Sequence, residues 1–264
     1  MTETSTGTPL LQVADLRLAF GGVTAVDGLT FDVARGDILS VIGPNGAGKT
    51  SAFNCITGFY RPTGGAVTLD GEEITRLRPS AVAARGVSRT FQNLRLFGEL
   101  TVLDNVRAGM HLRIKQNPFD ALLRTPRYRK SEDRATAEAH KWLDFVGLRG
   151  NRAGEARHLP YGEQRRVEIA RALAREPRLL LLDEPAAGLN HSEKLELLDL
   201  LNRIGELGIA VVLIEHDMGL VMQVSNRIVV LNFGKEIADG TPDEVRNNPA
   251  VVEAYLGSDE EVAQ

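Results

Sequence analysis

The octapeptide Gly43-Pro44-Asn45-Gly46-Ala47-Gly48-Lys49-Thr50 constrains this chain more than any other stretch. It follows a short, continuously apolar run, "DILSVIG" (37–43), and opens an apolar stretch with helical character, "SAFNCITGFY". Strand, glycine-rich turn and helix in that order satisfy the pattern G-x-x-x-x-G-K-[ST], which arises by chance in on the order of one chain in a hundred of this length. Glycines let the backbone curl until several N–H groups point at one anion, and the new helix adds the positive end of its dipole. The chain is therefore expected to cradle nucleotide phosphates with Asn45, Gly46, Ala47, Gly48, Lys49, Thr50 and Ser51. In that pattern the lysine, Lys49, reaches the β- and γ-phosphates, and the hydroxyl of Thr50 ligates Mg2+.

A second apolar run, "RLLLLDE", stops on Asp183 and Glu184 and is followed by a proline. Four consecutive leucines read as a strand covered on both faces, and α/β sheets place ligands at the carboxyl ends of such strands. Beside a phosphate cradle, Asp183 is expected to hold Mg2+ through water, and Glu184 to polarise the attacking water.

Elsewhere the pattern supports an α/β fold. Residues 11–36 alternate apolar and polar around Gly21-Gly22, as exposed antiparallel strands do. "IAVVLIEHD" and "RIVVLNFG" repeat the buried-strand run, with helical patterns between them, so the core sheet has parallel character. Between Asn93 and Arg157 the buried-strand runs vanish. Thr101 with Asp104 reads as a helix start, a second helix fits "SEDRATAEAHKWLDFVGL", and the stretch "RIKQNPFDALLRTPRYRK" carries six Lys or Arg against one Asp. That basic stretch suits either a solvated loop or contact with a partner or anionic headgroups. Thr241-Pro242-Asp243-Glu244 has capping-box form with proline at the first helical position, and the ending "GSDEEVAQ" is expected to fray. The division that results is a nucleotide-binding core with an antiparallel β-subdomain (9–92 and 158–240), a helical insert (93–157) and a helical tail (241–264).

A chain of 264 residues is long enough for one domain with an inserted subdomain. Its net charge of −4 argues against a general nucleic-acid-binding surface, and no nucleic-acid partner is expected. The lone Cys55 cannot form an internal disulfide, which fits a reducing compartment. "MTETSTGTPL" lacks the basic and apolar regions of a secretory signal, and no apolar run approaches the roughly 18 residues needed to span a bilayer. The expected location is the cytoplasm, with a partner holding the chain at a membrane if it is held there at all.

With these motifs in order, the sequence resembles the ATP-binding subunits of ABC transporters along nearly its whole length. "GPNGAGKT" and "LLLLDEP" stand at the family's two nucleotide motifs, "TFQ" at its Q-loop, "LPYGEQRRVEIARAL" at its signature, "AAGLN" at its D-loop and "IEHD" at its switch histidine. The resemblance implies a P-loop NTPase (RecA-like) core and ATP hydrolysis with Mg2+. It implies that Phe20 stacks on adenine, that Lys49, Gln92, Glu184 and His216 serve catalysis, and that Thr50, Gln92 and Asp183 serve the metal. It further implies that two cassettes close head-to-tail on ATP, with Gly162 and Glu163 of one chain completing the site of the other. The helix behind that signature is expected to begin near Glu163, with a buried stripe of Val167, Ala170, Leu173 and Ala174.

Two positions depart from the family pattern. Pro160 replaces the signature serine, removing a hydroxyl, and Asn190 replaces the aspartate that ends the D-loop. "RTFQNLRLFGELTVLDNV", the Tyr161-Gly162 variant, "EPAAGLN", "IEHDM" and "RNNPAVVEAYLG" look most like the ATP-binding subunit of branched-chain amino-acid importers. That subfamily implies integral-membrane permease subunits, a homodimer or a heterodimer with a second ABC ATPase, an extracytoplasmic solute-binding protein, and a peripheral position on the cytoplasmic face of the inner membrane. Related importers of urea or amides, the lipopolysaccharide-export ATPase and soluble ABC ATPases of DNA repair or translation share much of this pattern. Asn93–Phe97 is expected to line the groove that receives the membrane subunit.

Overall fold

A computed structural model of the chain describes residues 9–112, 125–150 and 152–261. The alternating segment forms β1 (Leu11–Phe20) and β2 (Val23–Val33), paired antiparallel. The strand before the phosphate motif is β3 (Ile38–Ile42), buried at every position. It leads into α1 (Lys49–Ile56), after which β4 (Gly64–Leu69) and the two-residue β5 (Glu72–Glu73) complete a four-stranded sheet in the order β2-β1-β4-β5.

The second sheet carries the chemistry. A short helix α2 (Pro79–Ala84) precedes β6 (Val87–Arg89), and β7 (Leu179–Asp183), β8 (Ala210–Ile214), β9 (Arg227–Asn232) and β10 (Lys235–Gly240) follow. Their order is β10-β9-β3-β8-β7-β6, parallel throughout except for the antiparallel β9–β10 hairpin. Between the two sheets, Phe53 and Ile56 of α1 pack on Val13, Leu29, Leu39 and Val41. Each such buried side chain contributes roughly 1.5–3 kcal/mol relative to exposure, so α1 is held by its apolar face while Thr50 of its first turn stays exposed.

The stretch between the motifs is helical where described: α3 (Val102–Gly109) and α4 (Pro126–Phe145), with α5 (Tyr161–Leu173) running from the signature back towards the sheet. Val106, Ala139, Leu143, Val167 and Leu173 form one core with Leu180 and Leu182 of β7. The Thr101 side chain caps α3 by accepting from Asp104 N at 3.0 Å. Helix α4 starts five residues before the expected Ser131, because Thr125 accepts from Tyr128 N and Pro126 occupies the first turn. It ends at Phe145, ahead of Gly147 in the left-handed conformation. Of the basic stretch, residues 113–124 lie outside the described residues, and Pro126–Lys130 form the start of α4.

Helix α5 begins at Tyr161 and not near Glu163, since Pro160, with extended backbone, serves as its N-cap residue. The expected stripe of Val167, Ala170, Leu173 and Ala174 is fully buried. The core and tail continue with α6 (His191–Glu206), α7 (Met218–Val224) and α8 (Pro242–Arg246), the last opened by the Thr241–Glu244 capping box. The final helix, α9 (Pro249–Glu261), stays helical through Gly257–Glu261, where fraying was expected; a glycine inside a helix costs only about 0.5–1 kcal/mol. Residues 262–264 lie outside the described part.

Candidate active site

The phosphate loop is fixed by close backbone approaches. A Cβ on Gly43 would stand 2.0 Å from Leu231 O, and one on Gly48 would stand 2.3 Å from Ala25 O, so neither position admits a side chain. Gly48, at φ 101°, is the N-cap of α1 and offers no side chain to it. The first-turn N–H groups of α1 are left for an external acceptor. Gly234 N, in the β9–β10 turn, holds the loop through Ala47 O at 3.0 Å. From beneath, the Tyr255 hydroxyl of α9 takes a backbone hydrogen bond from Gly43.

Above the loop lies a cavity of about 210 Å³ lined by residues 45–51 with Ala25, Glu184 and His216. Every expected cradle residue lines it. The buried Lys49 donates from Nζ to Gly43 O at 2.7 Å and Pro44 O at 2.8 Å. Burial holds its pKa below the usual lysine value, against the pull of the negative Glu184 and Asp183. Phosphate oxygens would replace two neutral carbonyls with charged acceptors, so that donor and acceptor would both be ionised.

Glu184 leaves β7 with φ 49°, a left-handed conformation that costs a non-glycine residue roughly 1–2 kcal/mol. Two backbone bonds hold it there: its N–H donates to Ile214 O at 2.9 Å, and its carbonyl accepts from Ala187 N at 3.2 Å. Its carboxylate accepts from Gln92 Nε2 at 2.8 Å and lies 3.0 Å from His216 Nε2. Three residues from distant parts of the chain thus meet at one carboxylate beside the phosphate loop. The His216 side chain is 40 % exposed, which keeps it open to a ligand.

Other expected residues stand apart. Phe20 ends β1 opposite Val23 and packs edge-on against Tyr60 at 5.2 Å, leaving its ring half exposed. It is not in the cavity wall, although Ala25, further along its partner strand, is. Gly162 and Glu163 sit in the first turn of α5, away from the cavity of their own chain. A Cβ on Gly162 would come within 2.3 Å of Glu193 Oε1. Asn190 is the N-cap of α6, accepting from Glu193 N at 3.0 Å while Glu193 Oε2 accepts from Asn190 N at 2.8 Å. The Tyr161 ring lies against Gly188 of the D-loop segment.

Three charged residues at this site escaped sequence reasoning. Arg89 pairs with Asp183 at 2.8 Å and donates to Asn54 Oδ1 at 2.7 Å. Arg165, 1 % exposed, donates to the carbonyls of Phe91 and Gln92 at 2.9 Å each, so α5 grips the backbone that carries Gln92. Glu215 is buried at the end of β8, immediately before His216. The available signal was a charge inside or closing an apolar run, as in "GVSRT" and "VVLIEHD".

The chain is similar to known proteins along nearly its whole length. The family model described as "ABC transporter" matches residues 26–187, and that described as "Branched-chain amino acid ATP-binding cassette transporter" matches residues 235–261. The chain is 49 % identical over 250 residues to the high-affinity branched-chain amino acid transport ATP-binding protein BraF of Pseudomonas aeruginosa, covering 94 % of this chain and 98 % of that protein. It is 46 % identical, with the same coverage, to LivG of Escherichia coli, described in the same words. Among solved structures, the ADP conformation of an ATP-binding cassette of an ABC transporter superposes with a TM-score of 0.83 at 30 % identity, covering 95 % of this chain and 100 % of that one.

Proposed function

The chain belongs to the ABC transporter ATP-binding family, and from that premise we propose that it hydrolyses ATP to energise import of branched-chain amino acids. The observation that carries the catalytic part is the meeting of Gln92 and His216 on the Glu184 carboxylate beside the phosphate loop. The solute class rests on the near full-length likeness to BraF and LivG and on the match of residues 235–261.

In this reading residues 45–51 hold the triphosphate and Lys49 gives up its loop carbonyls for phosphate oxygens. Glu184 orients and deprotonates the attacking water, and His216 donates a hydrogen bond to the γ-phosphate. The Thr50 hydroxyl, the Asp183 carboxylate and the Gln92 amide oxygen are hard oxygen donors of the kind Mg2+ takes alongside phosphates. When bound there, Mg2+ would neutralise charge on the β- and γ-phosphates. Phe20 supplies an exposed ring face for adenine. Gly162, Glu163 and the uncapped start of α5 lie outside their own chain's cavity, which supports a head-to-tail arrangement in which a second cassette presents them.

The second cassette is either another copy or a related ATPase, and the permease subunits span the membrane. No helix among the described residues is long and apolar enough to do so. The chain then works peripherally on the cytoplasmic face, and the solute reaches the permease from an extracytoplasmic binding protein. We place the permease contact at Asn93–Phe97, where Phe97 is exposed, continuing into a cavity of about 320 Å³ bordered by Phe59, Pro79, Val82 and Phe91. Tagging the chain in its native host and identifying what co-purifies from mildly solubilised membranes tests the assembly. Permease subunits and a second ATPase are expected, with loss of leucine, isoleucine and valine uptake when the gene is deleted. Ribosomal or DNA-repair partners, or unchanged uptake, would overturn the reading.

A further inference from the structure

Strand β8 ends at Ile214, and the next residue, Glu215, turns a 3 %-exposed carboxylate back into the protein. No cation faces it. It accepts backbone hydrogen bonds: Oε1 from Ala186 N at 2.6 Å, and Oε2 from His216 N at 2.9 Å and, longer, from Asp217 N at 3.4 Å. These amides belong to two segments that leave the ends of neighbouring parallel strands, where Asp183 pairs with Ile214 and the ladder stops. Beyond that point the N–H groups have lost their strand partners, and a carboxylate is the strongest acceptor a side chain can offer them.

The two segments carry the reacting groups. Ala186 lies two residues after Glu184, whose left-handed backbone must be held against its own preference. His216 is bonded to Glu215 through its own amide, and its ring meets the Glu184 carboxylate at 3.0 Å. A second tie runs parallel: Asp217 accepts from Lys194 Nζ of α6 at 2.6 Å and caps α7 through Leu220 N at 3.1 Å. The segment leaving β7 and the segment leaving β8 are therefore joined at both ends of the D-loop stretch, with the buried carboxylate nearer the reacting groups.

We propose that Glu215 is a positioning residue for hydrolysis: its carboxylate clamps the backbone after Glu184 to the backbone of His216 and so sets the distance between the two reacting side chains. This rests on the assignment of Glu184 and His216 to the reaction. Burial, with the neighbouring Asp217 charge, leaves the carboxyl pKa above its ordinary value although the three backbone donors pull it down, and the clamp itself consists of those three N–H contacts. An amide in its place keeps the volume but turns an NH2 group towards one of those donors.

The test is a kinetic cycle on the full-length chain, with Glu215→Gln, His216→Ala and the double variant, measuring kcat, direct ATP affinity and thermal midpoint. Glu215→Gln is expected to lower kcat about ten- to hundredfold with ATP affinity within about twofold of the parent, because Glu215 does not line the cavity above the phosphate loop and, among the described residues, its hydrogen bonds run to Ala186, His216 and Asp217. The double variant is expected to be no slower than His216→Ala alone, since a clamp has nothing left to position once the ring is gone. Parental kcat in Glu215→Gln, a loss tracking ATP affinity or thermal midpoint, or multiplicative losses in the double variant would each overturn the clamp. Failure of the parent chain to bind and hydrolyse ATP would instead refute the functional reading, and the clamp with it.

Discussion

Arg89 and Asp183 form an ion pair at 2.8 Å in which each side chain is only 6 % exposed. The guanidinium also donates to Asn54 Oδ1 at 2.7 Å and stands over the rings of Phe53 and Phe91. Truncating one partner of a buried pair strands the other charge, which costs about 3–5 kcal/mol. Arg89→Ala is expected to lower the unfolding free energy by that amount in a urea titration. Arg89→Met combined with Asp183→Asn is expected to lose less than the sum of its single variants, because neither charge is then left alone.

Lys49 and Glu184 share a cavity but divide the work, so their variants should fail differently. Lys49→Ala removes charge-assisted bonds to phosphate worth roughly 1.5–3 kcal/mol, and ATP affinity measured directly is expected to fall about ten- to hundredfold. Glu184→Gln keeps the cradle and removes the base. Turnover is expected to fall about 10²- to 10⁴-fold with ATP affinity nearly unchanged, leaving a stalled, ATP-bound species visible by size-exclusion chromatography. Equal affinities in parent and Lys49→Ala, or normal turnover in Glu184→Gln, would remove these roles.

What could be read from the sequence was what is local or periodic. "DILSVIG" and "RLLLLDE" declared β3 and β7 because strands buried on both faces read as continuous apolar runs. The glycine pattern declared the loop, because Gly43 and Gly48 sit against carbonyls that exclude any Cβ. The Arg89–Asp183 pair joins residues 94 positions apart, and the Arg165 contacts with Phe91 and Gln92 span more than 70, so no spacing rule reaches them. Helices start earlier than periodicity indicates where a cap residue overrides it: Thr125 and Pro126 at α4, Pro160 at α5. The role of Asn190 was also only half visible. Its side chain caps α6, a task an amide oxygen performs as well as a carboxylate.

A side chain at Gly162 is expected to be accommodated only by moving Glu193. An alanine Cβ there would meet Glu193 Oε1 at 2.3 Å and its Cδ at 2.7 Å, while the other oxygen of Glu193 closes the capping box with Asn190. Gly162→Ala must displace that carboxylate, weakening a cap worth about 1 kcal/mol and disturbing the surface that the second cassette would meet. The expected result is a drop of about 1 kcal/mol in unfolding free energy with loss of ATP-dependent association at undiminished affinity for ADP. Retained association in light scattering would place the second cassette elsewhere.

Cys55 gives a pH-dependent stability with a definite sign. It lies in α1, 1 % exposed, and burial pushes its thiol from the ordinary 9.0 up to about 11. Between those values the unfolded chain releases the proton and the folded chain keeps it, so folding binds more protons and stability falls as pH rises. The thiol's contribution is complete below pH 9.0 and is lost as pH climbs through about 11. Lys49 opposes it: its lowered pKa means that stability grows with pH as the buried ammonium discharges. Comparing unfolding free energies of the parent and Cys55→Ala across that range cancels the lysine and isolates the thiol. The gap between the two proteins is expected to be constant below pH 9 and to narrow above it, while the native thiol stays inert to a disulfide reagent until the chain is unfolded. A gap that widens with pH, or rapid labelling of the folded chain, would show that α1 does not seal this side chain from water.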